Sequence, residues 1–308
     1  MRRRLVLLAP ALLCLAGCDF EDLGSSERYT ADFHYSYPLK SGGRLSVENF
    51  NGSIEIASWD QGSVDISGVK YAGTPELRDA IKIDVVNAAD SIHVRTVRPS
   101  ERHGNMGAKY VIKVPRKIEL EHITSSNGTI RVNDIEGPAH LRSSNGGIHA
   151  IKMQGNLDAQ TSNGGIEVMD LEGSAVLRTS NGRVRAEGVR GSLEADTSNG
   201  GITVHLAQAD TGRPVKLDTS NGSIDLTMDN NNRNDVYAST NNAGITVRMP
   251  ASIAARLRAH TSNGSISSDF EVKAQGEISK HRLEGTIGEG GPVLDLSTSN
   301  GSIHLEKL

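Results

Sequence analysis

The sequence predicts an all-β fold: a parallel β-solenoid with coils of about 18–22 residues. Three observations carry that prediction. A Ser/Thr-Asn-Gly phrase recurs along the chain, with Asn127, Asn145, Asn163, Asn181 and Asn199 each 18 residues after the last. The interval then becomes 22 (Asn221), 20 (Asn241), 22 (Asn263) and 37 (Asn300), and Asn51 is an earlier outlier. A second glycine column, Gly137, Gly155, Gly173 and Gly191, stands ten residues after the asparagine. Apolar and polar residues alternate on both sides of the Asn-Gly turn. A fixed period near twenty residues marks an array in which each unit buries its apolar face against its neighbours.

Each unit reads as two short half-buried strands. Three residues after the asparagine stand Ile130, Ile148, Ile166, Val184, Ile202, Ile224, Ile266 and Ile303. Five after it stand Val132, Ala150, Val168, Ala186, Val204, Leu226 and Leu305. At six and four before it the pairs run Ala139/Leu141, Leu157/Ala159, Ala175/Leu177, Leu193/Ala195 and Val215/Leu217. Large and small swap places from unit to unit. If units stack directly, a leucine lies over an alanine and each layer keeps constant volume, as close packing requires. The two glycine columns are read as corners needing positive φ.

Asn-Gly is also the strongest short signal for a type I′ hairpin, so a long antiparallel β-meander is the alternative. In a stack the asparagines would form a structural ladder at a spacing of ~4.8 Å, through Asn127, Asn145, Asn163, Asn181, Asn199, Asn221, Asn263 and Asn300. The Ser/Thr columns are expected to bond in the same way. Handedness is taken as right-handed by analogy with other parallel crossovers. About ten coils would make a rod of roughly 50 Å.

Outside the regular units the pattern loosens. Residues 47–59 (VENFNGSIEIASW) read as a first coil around Asn51, and residues 80–97 as a strand pair. Pro75-Glu76-Leu77-Arg78 opens a short helix, and Pro115 breaks a strand. This region reads as the cap that hides a solenoid's open edge. Near the other end, residues 276–291 are expected to form a protruding loop or hairpin. The last repeat, LDLSTSNGSIHLEKL, is expected to close the stack.

The N-terminus reads as an export signal. Arg2, Arg3 and Arg4 precede an apolar run, Leu5 to Leu15, too short to span a bilayer. Leu15-Ala16-Gly17-Cys18 resembles the lipobox of bacterial lipoproteins, which implies cleavage before Cys18 and lipidation of that residue. The division that follows is a signal peptide over 1–17, lipidated Cys18 and a tether over 18–40, and a solenoid over 41–308. Within the last, 41–121 is an irregular cap region and 122–308 carries the repeats. Several acyl chains, at ~0.8 kcal/mol per buried methylene, suffice for anchoring. Cys14 lies inside the signal, so no internal disulfide is possible. Loss of residues 1–17 removes three arginines; 30 basic then face 37 acidic residues, a net charge of about −7. That balance argues against nucleic acid as a partner.

The phrases YVIKVPRKIELEHITSSNGTI, ITVRMPASIAARLRAHTSNGSI and LDLSTSNGSIHLEKL resemble a bacterial putative-adhesin domain family of unknown function, over about residues 40–308. The resemblance implies a β-solenoid similar to adhesin heads, exported or lipid-anchored, with no catalytic residues to carry over.

The residues offer little chemistry. The turns present Asn and Ser/Thr where calcium-binding repeats present Asp, and no phosphate loop, nucleophile elbow, CxxC or zinc spacing occurs. No metal or cofactor is predicted. Three residues before the asparagine the column reads Arg142, Gln160, Arg178, Asp196, Asp218. Stacked in register, Asp196 and Asp218 are neighbours and form the weak catalytic alternative, a glycosidase-type carboxylate pair. The commoner reading of such acids is a solvated face, with Arg178 neutralising one of them. Four residues after the asparagine stand Arg131, His149, Glu167, Arg185, Thr203 and Asp225, which suggests Glu167–Arg185 ion pairing between coils. His103, His122, His140, His260 and His304 are scattered and read as solvated. The leading expectation is a lipid-anchored, non-enzymatic, adhesin-like or structural module binding a glycan, the cell wall or an envelope protein. The alternatives are a carbohydrate-active enzyme acting on a polysaccharide and an envelope-stress accessory protein.

Overall fold

The computed structural model describes residues 29–100, 104–208, 213–230, 233–274 and 279–308. The export signal, Cys18 and the acidic stretch 19–28 lie outside the described residues. Among the described residues the fold is all-β save for one short helix, Pro75–Ala80, capped by Thr74, whose side chain accepts from the Leu77 amide. The described strands form two sheets, one of 13 and one of 14 strands, enclosing the main apolar core, with a small second cluster of Ala72, Ile81 and Met106 at the helix.

Each regular coil contributes one strand to each sheet. The coil 157–172, for example, sends Leu157–Gln160 to one and Ile166–Glu172 to the other. Coil-to-coil pairing is parallel throughout, so the meander alternative is excluded. The volume swap is a stacking fact. Ala139 pairs with Leu157, Leu157 with Ala175 and Ala175 with Leu193, while Leu141, Ala159, Leu177 and Ala195 follow in the opposite phase. All are buried. Each layer therefore holds one large and one small side chain at every contact, and the core stays filled without strain.

The corners differ from one another physically. At the second glycine column φ is positive, from +134° at Gly155 to +159° at Gly191. A Cβ there would also strike the preceding coil: at Gly173 it would lie 2.2 Å from the Gly155 carbonyl oxygen. Among the Asn-Gly glycines of the regular coils, φ is not the reason, which corrects the sequence reading. Those glycines are needed for approach: a Cβ at Gly182 would lie 1.8 Å from the Gly164 oxygen. A third bend was not anticipated. Asp134, Lys152 and Asp170 adopt φ of +60°, +54° and +55°, and Gly188 takes the same place in the next coil. Each left-handed residue shifts the side-chain parity, so Ile135, Met153, Leu171 and Val189 turn into the core.

The ends depart from chain order. At the first end, coil 43–59 lies between coil 91–115 and coil 118–136. At the other, the last residues do not close the stack. Val293–Thr298 and Ile303–Lys307 insert between coil 236–249 and coil 255–268. The physical reason is register: the C-terminal strands match the exposed edges of both neighbours. Arg282–Ile287 pairs antiparallel with Ala255–Thr261 and Val272–Ala274 and covers a sheet edge; it does not protrude. Tyr29–Pro38, placed in the tether by the sequence reading, is a ten-residue edge strand antiparallel to Ser63–Ala72. The described fold thus begins at Tyr29.

No strand within 255–287 pairs outside that segment except with the C-terminal coil. Ending the chain after Pro292 should therefore release it. Limited proteolysis with mass spectrometry is expected to trim residues 255–292 while leaving the body through Met249 intact; a resistant 255–287 segment would contradict this topology.

Candidate functional site

The asparagines form an unbroken outer ladder from Asn127 to Asn263. Each Nδ2 donates to the Oδ1 of the rung before: Asn145 to Asn127, Asn163 to Asn145, Asn181 to Asn163, Asn199 to Asn181 and Asn221 to Asn199, at 2.7–2.8 Å. The next rung is Asn242, which the sequence pattern had passed over in favour of Asn241. Asn241 stands in the serine column, and Ala243 takes the glycine's place. Asn300 then donates to Asn242, and Asn263 donates to Asn300, in the interlocked order of the end coils.

Beneath this exposed ladder runs a buried hydroxyl column that sequence reading had only half identified. Ser125, Ser143, Thr161, Thr179, Thr197, Thr219, Thr240, Thr261 and Thr298 stand two residues before their asparagines and are all buried. Their hydroxyls do not ladder with one another. Thr179 Oγ1 donates to the Gly164 carbonyl of the preceding coil at 2.8 Å and accepts from the Gly182 amide of its own turn at 3.2 Å. One side chain thereby closes a turn and ties two coils. Asn49 takes the same place in coil 43–59, donating to the Gly52 and Ala108 carbonyls.

Function is left to the outward faces. Asp196 and Asp218 are directly paired neighbours on adjacent coils, both exposed. Desolvation and the charge of Asp196 hold the Asp218 carboxyl above its ordinary value of 3.8. Arg178 does not neutralise either one; it pairs with Glu194. Glu194, Asp196, Lys216, Asp218, Tyr237 and Ser239 line an open depression of about 190 Å³ on this face. Tyr237 is 40% exposed, registered beside Lys216 on one coil and Asp295 on the other. Sequence reading missed it, because a lone tyrosine in a polar column carries no periodic signal.

On the opposite sheet, Glu167 and Arg185 are neighbours but take other partners. His149 Nδ1 lies 3.0 Å from Glu167, and Arg185 pairs with Glu187 at 2.6 Å. The expected Glu167–Arg185 pair is thus replaced by a contact from Glu167 to His149 on the other neighbouring coil and by a pair within the Arg185 strand, each contributing ~0–1 kcal/mol at the surface. A second depression, about 370 Å³, lies between Val111, Ala57 and Ile151, rimmed by Lys113, Arg131 and His149. His122 and His140 stand with ring centroids 6.5 Å apart, and His304 Nδ1 contacts the Ser267 hydroxyl; His103 lies outside the described residues. Among the described residues no three His, Cys, Asp or Glu side chains converge as a metal site.

A family model described as Toastrack DUF4097 matches residues 38–252. Among solved structures, a putative adhesin from Bacteroides fragilis is 14% identical, covering 92% of this chain and 98% of its own, with a TM-score of 0.46. A putative adhesin from Parabacteroides distasonis is 12% identical over 90% and 97%, with a TM-score of 0.39. A putative cell adhesion protein from Clostridium sporogenes is 10% identical over 90% and 100%, with a TM-score of 0.23. No curated protein matches the chain.

Two outcomes follow from this geometry. Thr179→Val strands a buried amide and carbonyl and should cost about 1–3 kcal/mol, whereas Asn163→Ala on the exposed ladder should cost about 1 kcal/mol or less. Chemical denaturation of both variants would reverse our ranking if the asparagine proved dearer. Asp218 binds its proton more tightly folded than unfolded, so it lowers stability as pH rises above 3.8 through its raised folded pKa. Asp218→Asn should accordingly raise the thermal midpoint at neutral pH and lose that advantage below the ordinary carboxylate value. An unchanged midpoint at neutral pH would count against the pair's repulsion.

Proposed function

The chain belongs to the Toastrack DUF4097 family, and from that premise we propose that it is an envelope binding module without catalytic activity. Its ligand-bearing surface is the sheet face around Tyr237, and its ligand class is a glycan. The observation that carries this reading is the depression beside Tyr237. An exposed aromatic ring offers a flat apolar platform with a polar tip. Asp218, Asp196 and Ser239 offer acceptors, and Lys216 a donor, around that platform. Strand-borne side chains on a packed scaffold are held in place before binding, which lowers the entropic cost of ordering them. The depression is shallow and open, suited to one side of an extended polymer. Cys18 is proposed to anchor the module to a bacterial membrane, on the strength of the Leu-Ala-Gly-Cys phrase.

The second reading, a polysaccharide-acting enzyme, draws on Asp218. A carboxyl raised above its ordinary value by burial and by the neighbouring Asp196 carboxylate is one half of the acid pair such an enzyme needs. Against it, both acids are exposed, and nothing encloses them to exclude water.

The test is a glycan array probed with the wild type and Tyr237→Ala. Binding to a defined glycan class, lost in the variant with its thermal midpoint unchanged, supports the module; no binding by the wild type overturns it. Turnover of a bound polysaccharide, abolished in Asp218→Asn, would favour the enzyme. Cys18→Ser should move the protein from the membrane to the soluble fraction; retention in the membrane would remove the anchor.

A further inference from the structure

The two sheets end in four edge strands, and three of them are short. Ile266–Ser268 and Val272–Ala274 have three residues each, and Lys82–Asn87 has six. The fourth, Tyr29–Pro38, has ten residues, carries no lysine or arginine, and holds its only proline at its end. A long edge without such devices is a template for another strand. Pairing to Ser63–Ala72 occupies one side of it, and among the described residues no strand pairs with the other.

We propose that this edge is a self-association site, at which a second copy of the chain adds its own Tyr29–Pro38 strand antiparallel, with Phe33 opposite Phe33. The register follows from the side chains. Odd-numbered residues face the core end, where Ala31, Phe33, Tyr35 and Tyr37 are half-buried; even-numbered residues face outward. An antiparallel pair matches odd with odd only if the two residue numbers sum to an even value. Centred on Phe33, the pairing sets Asp32 opposite His34 of the second copy, twice by symmetry. Asp65 already holds Nε2 of His34, so Nδ1 is the ring nitrogen left for the Asp32 carboxylate, to which it donates only in the doubly protonated ring. Centred on His34 instead, the two imidazoles would oppose each other. The same pairing lays Ala31 against Tyr35 and extends the Phe33–Tyr35–Tyr110 aromatic group across the symmetry axis.

The helix sets the limit. Arg78 Nη1 donates to the Thr30 carbonyl at 3.2 Å, so pairing runs over residues 31–35. Five paired residues bury far less than the ~1,200 Å² of a stable complex, and the association is weak and concentration-dependent.

The experiment is sedimentation velocity on the full chain in detergent, from low to high micromolar, with amide hydrogen exchange on the same samples. The expected result is a dimer fraction that rises with concentration and slowed exchange at residues 31–35. Asp32→Lys, exposed on the outward face, should leave the thermal midpoint unchanged and raise the dissociation constant by about tenfold or more. If that variant lowers the midpoint, Asp32→Asn replaces it, keeping the shape and still weakening the dimer. A monomer at every concentration overturns the proposal. So does an association that survives both variants or leaves exchange at 31–35 unaltered.

Discussion

The whole architecture depends on how closely one coil's backbone approaches the next at the Asn-Gly corner. From Gly128 to Gly222 the glycine of each turn lies directly over the glycine carbonyl of the turn before, at a distance that leaves no room for a Cβ, and Gly301 lies in the same way over the Ala243 carbonyl. That contact is converted into a bond by the buried Ser/Thr hydroxyl, which donates to the carbonyl below and accepts from its own turn's amide. A flat stack with two polar main-chain groups buried at every corner would otherwise carry an unsatisfied donor and acceptor per coil. The outer asparagine ladder repeats the registration at the surface, where water competes for the same groups.

The thinness of the core follows. With each coil only two short strands wide, the interior holds one large and one small side chain per layer, and few rings fit. Aromatic residues make up 4% of the chain, and several of them gather at the first end, where Phe33, Tyr35 and Tyr37 line the edge of the core around Tyr110. A scaffold held by its corners leaves its outward columns free of structural duty. Arg142, Gln160, Arg178, Asp196, Asp218 and Ser239 succeed one another on one face without any common chemistry. Such a column is open to selection for binding.

Much of this was legible in the sequence because the repeat is local. Leu/Ala alternation, the glycine columns and the asparagine interval all report on neighbours one coil apart, and they identified the parallel stack and its core. What escaped is whatever periodicity does not encode. The left-handed bend at Asp134, Lys152 and Asp170 uses three non-glycine residues, so no composition signal marks it. The Asn241/Asn242 choice turned on which of two equal residues stands over Asn221. The interlocked ends are a matter of strand order, which side-chain patterns leave free; the interval of 37 between Asn263 and Asn300 was the trace of it. Side-chain contacts such as His149–Glu167 and Arg185–Glu187 depend on reach, which a column of charges does not specify.

The central claim is the register of the stack, and paired cysteines test it most directly. Gln160 and Arg178 face outward on adjacent coils in direct register, while Gln160 and Asp196 are two coils apart. Under mild oxidation the Gln160→Cys/Arg178→Cys chain should form an intramolecular disulfide, and the Gln160→Cys/Asp196→Cys chain should not, since roughly 9–10 Å separates strands two apart. Equal crosslinking of both pairs, or of neither, would contradict the stack.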